Sequence, residues 1–379
     1  MKIGILGYGP VGEAIYERCS VLPNIEVAGV YCMEPEKVPD GKGLDSADAL
    51  LSDFTIDTIV EIIGGNGLAY DLIVQAMNNG KNVVTNNTEL TCTYLQELSE
   101  IASDNNVSFK YTAAIGGVQW ISNLDAATRI DKIKKVCGVM DATSNYILSS
   151  MQSSKSSYED AYAEANSLGY INEIRDDDVT GVTSKRRLMV ASGIAYGAKL
   201  SEDDVDAYGI TTITQDDFAV FSRLGLTCKL YSSASVVSDT QMTAFVEPTL
   251  FGPKSLESCV NSNYNIFSFE GNVCGKYSFF GQGNGKNAIA TAIINDIIDA
   301  GNGLKSNEIV LTDSRKVTNA RVVHQYYVRT SIICDWITDH RQIPLGHGIL
   351  TSPISVSEMH KSAKILSEQD DKLFFAAIY

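Results

Sequence analysis

Basic residues are scarce in this chain of 379 residues, in which 30 lysines and arginines face 46 aspartates and glutamates, a formal net charge of −16. Nucleic acids and anionic membrane surfaces both require a basic face, so neither is an expected partner. The eight cysteines stand at 19, 32, 92, 137, 228, 259, 274 and 334 and include no C-x-x-C pair. No zinc knuckle and no bound metal are expected from such scattered thiols. Cys137 and Cys274 lie in apolar stretches, where a reduced cysteine acts as a small hydrophobe. No apolar run approaches the length of a membrane span. With a first strand beginning at Lys2, no signal peptide is expected, and the chain reads as a reduced cytoplasmic protein. Internal repeats and low-complexity linkers are absent as well. What remains, 44% hydrophobic and 20% charged residues, is ordinary for a globular chain long enough for two or three domains.

The first 113 residues alternate in pattern. Apolar runs at Lys2–Leu6, Asn24–Tyr31, Thr58–Ile63, Asn82–Thr85 and Val107–Ala113 read as strands. Helices are expected over Pro10–Ser20, Ala69–Asn79 (stopped by Gly80) and Leu90–Asn105. Such alternation implies parallel βαβ units in a doubly wound sheet. After residue 115 the pattern changes. Strands are expected at Lys132–Val139, Thr243–Val246, Ile266–Glu270 and Gly275–Phe280, with helices at Tyr158–Leu168 and Thr183–Ala195 between them. This reads as an α+β domain with a more antiparallel sheet. A helix over Ala288–Asp299 could return to the first domain, and the last sixty-odd residues show no clear periodicity.

The sequence Gly7-Tyr8-Gly9-Pro10-Val11-Gly12 follows the first strand directly and opens a helix. G-x-G-x-x-G in that context is the phosphate turn of a Rossmann dinucleotide-binding domain. Gly7 allows the tight turn, Gly9 lets a pyrophosphate approach the backbone, and Gly12 permits close helix packing. The helix N-terminus then offers N–H groups and a positive dipole to the phosphate. The second strand ends Val30-Tyr31-Cys32-Met33-Glu34. An acidic residue there suits the ribose hydroxyls of NAD and an arginine suits NADP. The absence of an arginine leans slightly towards NAD, with Glu34 or Tyr31 as ribose contacts, but either cofactor stays open.

With these segments in place, the chain resembles homoserine dehydrogenase over about residues 1 to 300. Val60-Glu61-Ile62-Ile63-Gly64-Gly65 is similar to the family's V-E-L-I-G-G, and Gly80 to Asn87 (GKNVVTNN) to G-K-x-V-V-T-A-N. Ala113 to Gly117 resembles A-x-V-G-G, and Gly138 to Leu148 (GVMDATSNYIL) resembles G-I-L-N-G-T-T-N-Y-I-L. Leu168-Gly169-Tyr170, with Asp177-Asp178 and Gly181, resembles the substrate loop, and Phe280 to Gly285 (FGQGNG) resembles F-Y-G-P-G-A-G. The resemblance implies interconversion of aspartate semialdehyde and homoserine by hydride transfer with NAD(P), in a homodimer built through the second domain's sheet. Cofactor contacts are implied at Gly7, Gly9, Pro10, Val11, Gly12, Tyr31, Gly64, Gly65, Thr85 and Gly283.

The same resemblance implies an active site with two lysines, a glutamate for the amino group and an aspartate near the reacting oxygen. Here these fall on Thr88 and Arg187, on Asn172 and on Thr183, while Asp178 is kept. Thr88, Asp178, Thr183 and Arg187 are therefore the candidate catalytic residues, and Ala142, Thr143, Asn172, Asp178 and Arg187 the candidate substrate contacts. Arg187 can bind a carboxylate through two hydrogen bonds but does not readily give up a proton, as a lysine can. Slow homoserine turnover is expected on that ground. Lys185, Glu173 and Lys286 are the nearby groups that could take over. At the glutamate position of the family's monovalent-cation site stands Thr112. Gln325-Tyr326-Tyr327-Val328-Arg329 is similar to the first strand of an ACT regulatory domain, though Cys334-Asp335-Trp336 replaces its glycine-rich turn.

The expected fold is thus α/β: an N-terminal Rossmann domain over residues 1–130 and an α+β substrate and dimerisation domain over 131–285. A returning helix over 286–317 and a truncated ACT-like tail over 318–379 complete it. Three functions stay open: an NAD(P)-dependent oxidoreductase of a small carboxylate-bearing aldehyde or alcohol, a catalytically silent cofactor-binding partner or sensor, and a non-redox enzyme reusing the pocket.

Overall fold

Short apolar strands separated by helices fold first into a parallel sheet, in a computed structural model that describes residues 1–171, 176–305, 309–312 and 315–379. Strands β1 (Lys2–Leu6), β2 (Glu26–Tyr31), β3 (Gly43–Leu44), β4 (Thr58–Glu61), β5 (Asn82–Thr85) and β6 (Phe109–Lys110) pair in the order β3-β2-β1-β4-β5-β6. Helices α1 (Pro10–Ser20), α2 (Asp48–Ser52), α3 (Gly67–Asn78), α4 (Thr88–Asp104) and α5 (Ile121–Thr128) accompany them. Residues on both sides of β1, such as Ile3, Ile5 and Leu6, are fully buried, which is why the strand reads as a continuous apolar run. Ile15 and Cys19 of α1 share one core with Ile293 and Ile297 of the later helix Lys286–Gly301. Residues 1–130, 193–197 and 283–311 make up this unit. The chain leaves β1 to one side for β2 and to the other for β4, so the crevice expected of such a sheet opens at the C-terminal ends of β1 and β4.

The strand expected over 107–113 shrinks to Phe109–Lys110. Beyond it the backbone turns through Gly116 and Gly117, both at positive φ (92° and 71°), which an extended strand does not accommodate.

The second unit holds residues 131–192, 198–282 and 312–379. It begins with β7 (Ile133–Val139), α6 (Ala142–Ser154), α7 (Tyr158–Ser167), α8 (Asp177–Thr180), α9 (Val182–Tyr196), β8 (Asp206–Ala207) and α10 (Gln215–Leu224). Strands β9 (Thr227–Ser238), β10 (Gln241–Phe251), β11 (Tyr264–Gly271) and β12 (Lys276–Gln282) follow; the helix Lys286–Gly301 is α11. The mostly antiparallel sheet runs β12-β11-β7-β9-β10 and then continues into the tail.

After the short β13 (Lys316–Val317), the tail forms β14 (Val323–Arg329), α12 (Asp335–His340), β15 (Arg341–Leu345), β16 (Gly348–Thr351), β17 (Ile354–Ser355), α13 (Val356–Ser367) and β18 (Phe374–Ile378). The expectation for this stretch is a truncated ACT-like tail. Apart from the two-residue β17, these elements make a complete β-α-β-β-α-β unit in the sheet order β18-β14-β16-β15, the split β-α-β arrangement. The unit was hard to see because its strands are four to seven residues long. It is also no separate module, since β18 pairs in parallel with β10 through Thr249–Ala377 and Leu250–Ile378. Among the described residues no helix is long and apolar enough to cross a membrane, and all eight cysteines are free thiols.

Candidate functional site

Two polar constellations stand out, one in each unit. In the first, α1 starts at Pro10, which has no N–H to leave unsatisfied, and no side chain caps the helix. Gly7 lies at φ +113° and donates its N–H to Tyr31 O over 2.8 Å. A Cβ at Gly12 would stand 2.7 Å from Gly7 O, so the helix can approach the turn this closely only with glycine there. Gly9 differs from both, because nothing lies within 4 Å of where its Cβ would be. Packing does not demand glycine at that position, and the space beside the uncapped helix end fits a pyrophosphate cradled by the N–H groups of Val11 and Gly12. Gly7, Gly9, Pro10, Val11, Gly12 and Tyr31 are thus brought together.

The other rim of the crevice is held by a residue that sequence reasoning passed over. The Glu61 carboxylate, at the end of β4, accepts the N–H groups of Ile63 (2.8 Å) and Gly64 (3.1 Å) and the Thr85 hydroxyl (2.6 Å). It fixes the Gly64–Gly65 turn, where φ is +80° and +72°. Burial pushes its carboxyl above the usual range, against the opposing pull of those hydrogen bonds. Thr85 is itself fully buried, with its hydroxyl committed to Glu61. Asn87 caps α4 by accepting from Leu90 N and donates to Gly65 O over 2.6 Å. Next to it the Thr88 hydroxyl donates to Ala114 O over 2.6 Å. Gly283 is buried in the loop before α11.

Glu34, beyond β2, pairs with Lys37 at 2.7 Å on the surface. Lys286, at the start of α11, lies 3.3 Å from Glu13 in the first turn of α1. Thr112 gives both its N–H (2.9 Å) and its hydroxyl (2.8 Å) to the buried Asp296. Burial raises that carboxyl to about 6.

In the second unit, Arg187 of α9 donates from Nη1 to Met140 O over 2.6 Å and lies 3.5 Å from Asp141 Oδ1. Asp141 caps α6 by accepting the Ser144 N–H at 2.7 Å and is 2% exposed. The Thr183 hydroxyl donates to Asp178 Oδ1 over 2.6 Å. Burial, reinforced by the negative Asp178 and opposed by Arg187, raises the Asp141 carboxyl to about 7. Asp178, Thr183 and Arg187, candidates from the sequence, therefore gather around Asp141, which was not among them. Its signal was present: an aspartate standing where the quoted motif has asparagine, just before a helix.

Ala142 is buried in the first turn of α6, and the Thr143 hydroxyl donates to Tyr170 O over 3.0 Å, anchoring the start of the following loop. Asn172 and Glu173 lie outside the described residues. Lys185 turns to Glu202 O (2.9 Å), and Arg186 bridges Asp177 (2.8 Å) and Glu202 (2.7 Å). Among the described residues these contacts differ from those of Arg187 with Met140 and Asp141, in keeping with the turn of the helix between neighbouring positions.

Comparison with known proteins shows the family and the fold. Residues 7–112 match the family model of the homoserine dehydrogenase NAD binding domain, and residues 120–298 match that of homoserine dehydrogenase itself. The chain is similar to a homoserine dehydrogenase of Mycobacterium bovis, 31% identical over 79% of this chain and 71% of the relative. A homoserine dehydrogenase of a Synechocystis strain is 29% identical over 89% of this chain and 81% of its own. Among solved structures, the homoserine dehydrogenase of Thiobacillus denitrificans shares the fold with a TM-score of 0.86, covering 100% of this chain and 98% of that one at 23% identity.

Proposed function

The chain belongs to the homoserine dehydrogenase family, and from that premise we propose that it is an NAD(P)-dependent oxidoreductase of a small carboxylate-bearing aldehyde or alcohol. The observation that carries the reading is the Gly9 turn, open where a side chain would stand, beside an uncapped helix N-terminus. Val11 and Gly12 would hold the pyrophosphate, Gly64 and Gly65 would border the crevice, and Tyr31 or Glu34 would meet the ribose. When bound, the nicotinamide supplies or accepts the hydride. NAD is favoured slightly over NADP, because Glu34 and not an arginine follows β2.

Arg187 brings a fixed positive charge to the second-unit cluster, suited to orienting an anionic substrate. The substrate class includes aspartate semialdehyde and homoserine. We place the protein in the cytoplasm as a homodimer. A second reading, a cofactor-binding protein without turnover, is favoured by one observation: the hydroxyls of Thr88 and Thr183 are engaged by the protein's own acceptors. Absorbance of the reduced nicotinamide separates the two. Turnover with aspartate semialdehyde or a related aldehyde supports the oxidoreductase. Tight nucleotide binding without turnover across an aldehyde panel supports the silent protein.

A further inference from the structure

A lysine at the first position of a helix stands against the positive end of the macrodipole. Lys286 holds that position in α11, a helix with no side-chain cap and no acidic residue in its first turn. Its ammonium lies 3.3 Å from the Glu13 carboxylate of α1, and both side chains are about half exposed. Both helices belong to the first unit and share its core, where Ile15 and Cys19 meet Ile293 and Ile297. They run the same way. Gly301, the last residue of α11, abuts the Met1 side chain at the foot of β1. The 16-residue helix therefore carries Lys286 to the opposite end of the sheet, where β1 passes into the Gly7–Gly12 turn. Two uncapped helix N-termini lie side by side there.

Glu13 is out of keeping with a phosphate site. Its N–H donates to Gly9 O over 2.9 Å, so it sits one turn beyond the open Gly9, and helical side chains lean back towards the N-terminus. A carboxylate there repels a pyrophosphate held by Val11 and Gly12. Lys286 offsets that charge, and three donors on a flexible stem let an ammonium pass from a carboxylate to a phosphate oxygen. An exposed ion pair of this kind is held only weakly. We propose that Lys286 is a cofactor-phosphate contact, resting on Glu13 in the free protein and turning to the pyrophosphate of the bound dinucleotide. The N-terminus of α11 then joins that of α1 in holding the cofactor. The inference rests on the cofactor-binding part of the reading above and holds with or without turnover.

Calorimetry with NAD, and with ADP as a diphosphate that lacks the nicotinamide, tests this. Lys286→Met should weaken both about tenfold, and Lys286→Arg should keep most of the affinity. Glu13→Gln should tighten both, because it frees the lysine and removes the repelling charge. The loss caused by Lys286→Met should persist in the Glu13→Gln background. Without the lysine, affinity should also fall less steeply with added salt. Melting temperatures should stay nearly constant, since the pair is exposed. Lys286→Met that binds NAD within twofold of wild type overturns the proposal. So does a double variant that binds as tightly as Glu13→Gln alone, because the lysine is then only a counterion of the glutamate. If the wild-type protein binds none of NAD, NADP and ADP, the cofactor reading itself has failed, whereas a failure confined to Lys286 leaves wild-type binding intact.

Discussion

Asp296 shows how a single buried carboxyl ties stability to pH. Its two oxygens take the N–H and hydroxyl of Thr112, yet burial still raises the group from 3.8 to about 6. With the folded value above the unfolded one, its contribution is most favourable below about pH 4 and is lost as pH rises through 6. Asp296→Asn should therefore gain about 1–3 kcal/mol at pH 7.5, because Thr112 Oγ1 can turn to accept from the new amide. Urea unfolding at pH 7.5 and pH 4 checks the sign: the advantage should shrink at the lower pH, and an equal or larger gain there contradicts the argument.

The same reasoning applies to Thr183. Its hydroxyl sits 2.6 Å from Asp178, so Thr183→Asp alone would add a third carboxylate and should lower the thermal midpoint. The double variant Thr183→Asp/Asp141→Asn should recover most of that loss, because it returns the cluster to two carboxylates. A double-mutant cycle showing simple additivity would remove the basis for treating these groups as one charge cluster.

At the scale of elements, the phosphate turn separates packing from ligand binding. Gly9→Val should leave the melting temperature nearly unchanged, because nothing lies within 4 Å of the new Cβ, while nucleotide binding measured by calorimetry should disappear. Gly12→Val should do the reverse at the level of folding, since its Cβ would press on Gly7 O at 2.7 Å; a lowered melting temperature is the expected sign. A folded Gly9→Val protein with wild-type affinity would refute the assignment of the turn.

Most of the elements around this turn were legible, β1, α1 and β5 to the residue, because apolar period and glycine placement are local signals. The strand β9, Thr227–Ser238, was not. Its Ser232-Ser233-Ala234-Ser235 centre carries neither alternation nor β-branched bulk. Its place is set by pairing with β10 on one side and β7 on the other.

For the whole molecule, the continuous sheet of the second unit is the feature with the widest consequence. Its first edge, β12, exposes half or more of Tyr277 (50%) and Phe280 (57%). Apolar exposure of this kind on an edge strand is a liability for a lone chain, and it accords with the homodimer proposed above. Light scattering at micromolar concentration should give twice the chain mass of 41.1 kDa; a monomer would contradict it.

The sequence by itself determined the doubly wound first unit, the phosphate turn and the family, because each rests on residues adjacent in the chain. Only the tertiary structure decided the rest. It drew Asp141, Asp178, Thr183 and Arg187 together from α6, α8 and α9, where burial and a neighbouring charge give an inconspicuous aspartate an unusual proton affinity. It also joined the tail to the second unit's sheet through two β18 pairings. Proton affinity and strand order both depend on what lies beside a residue in space, and that neighbour can be forty residues away or more than a hundred.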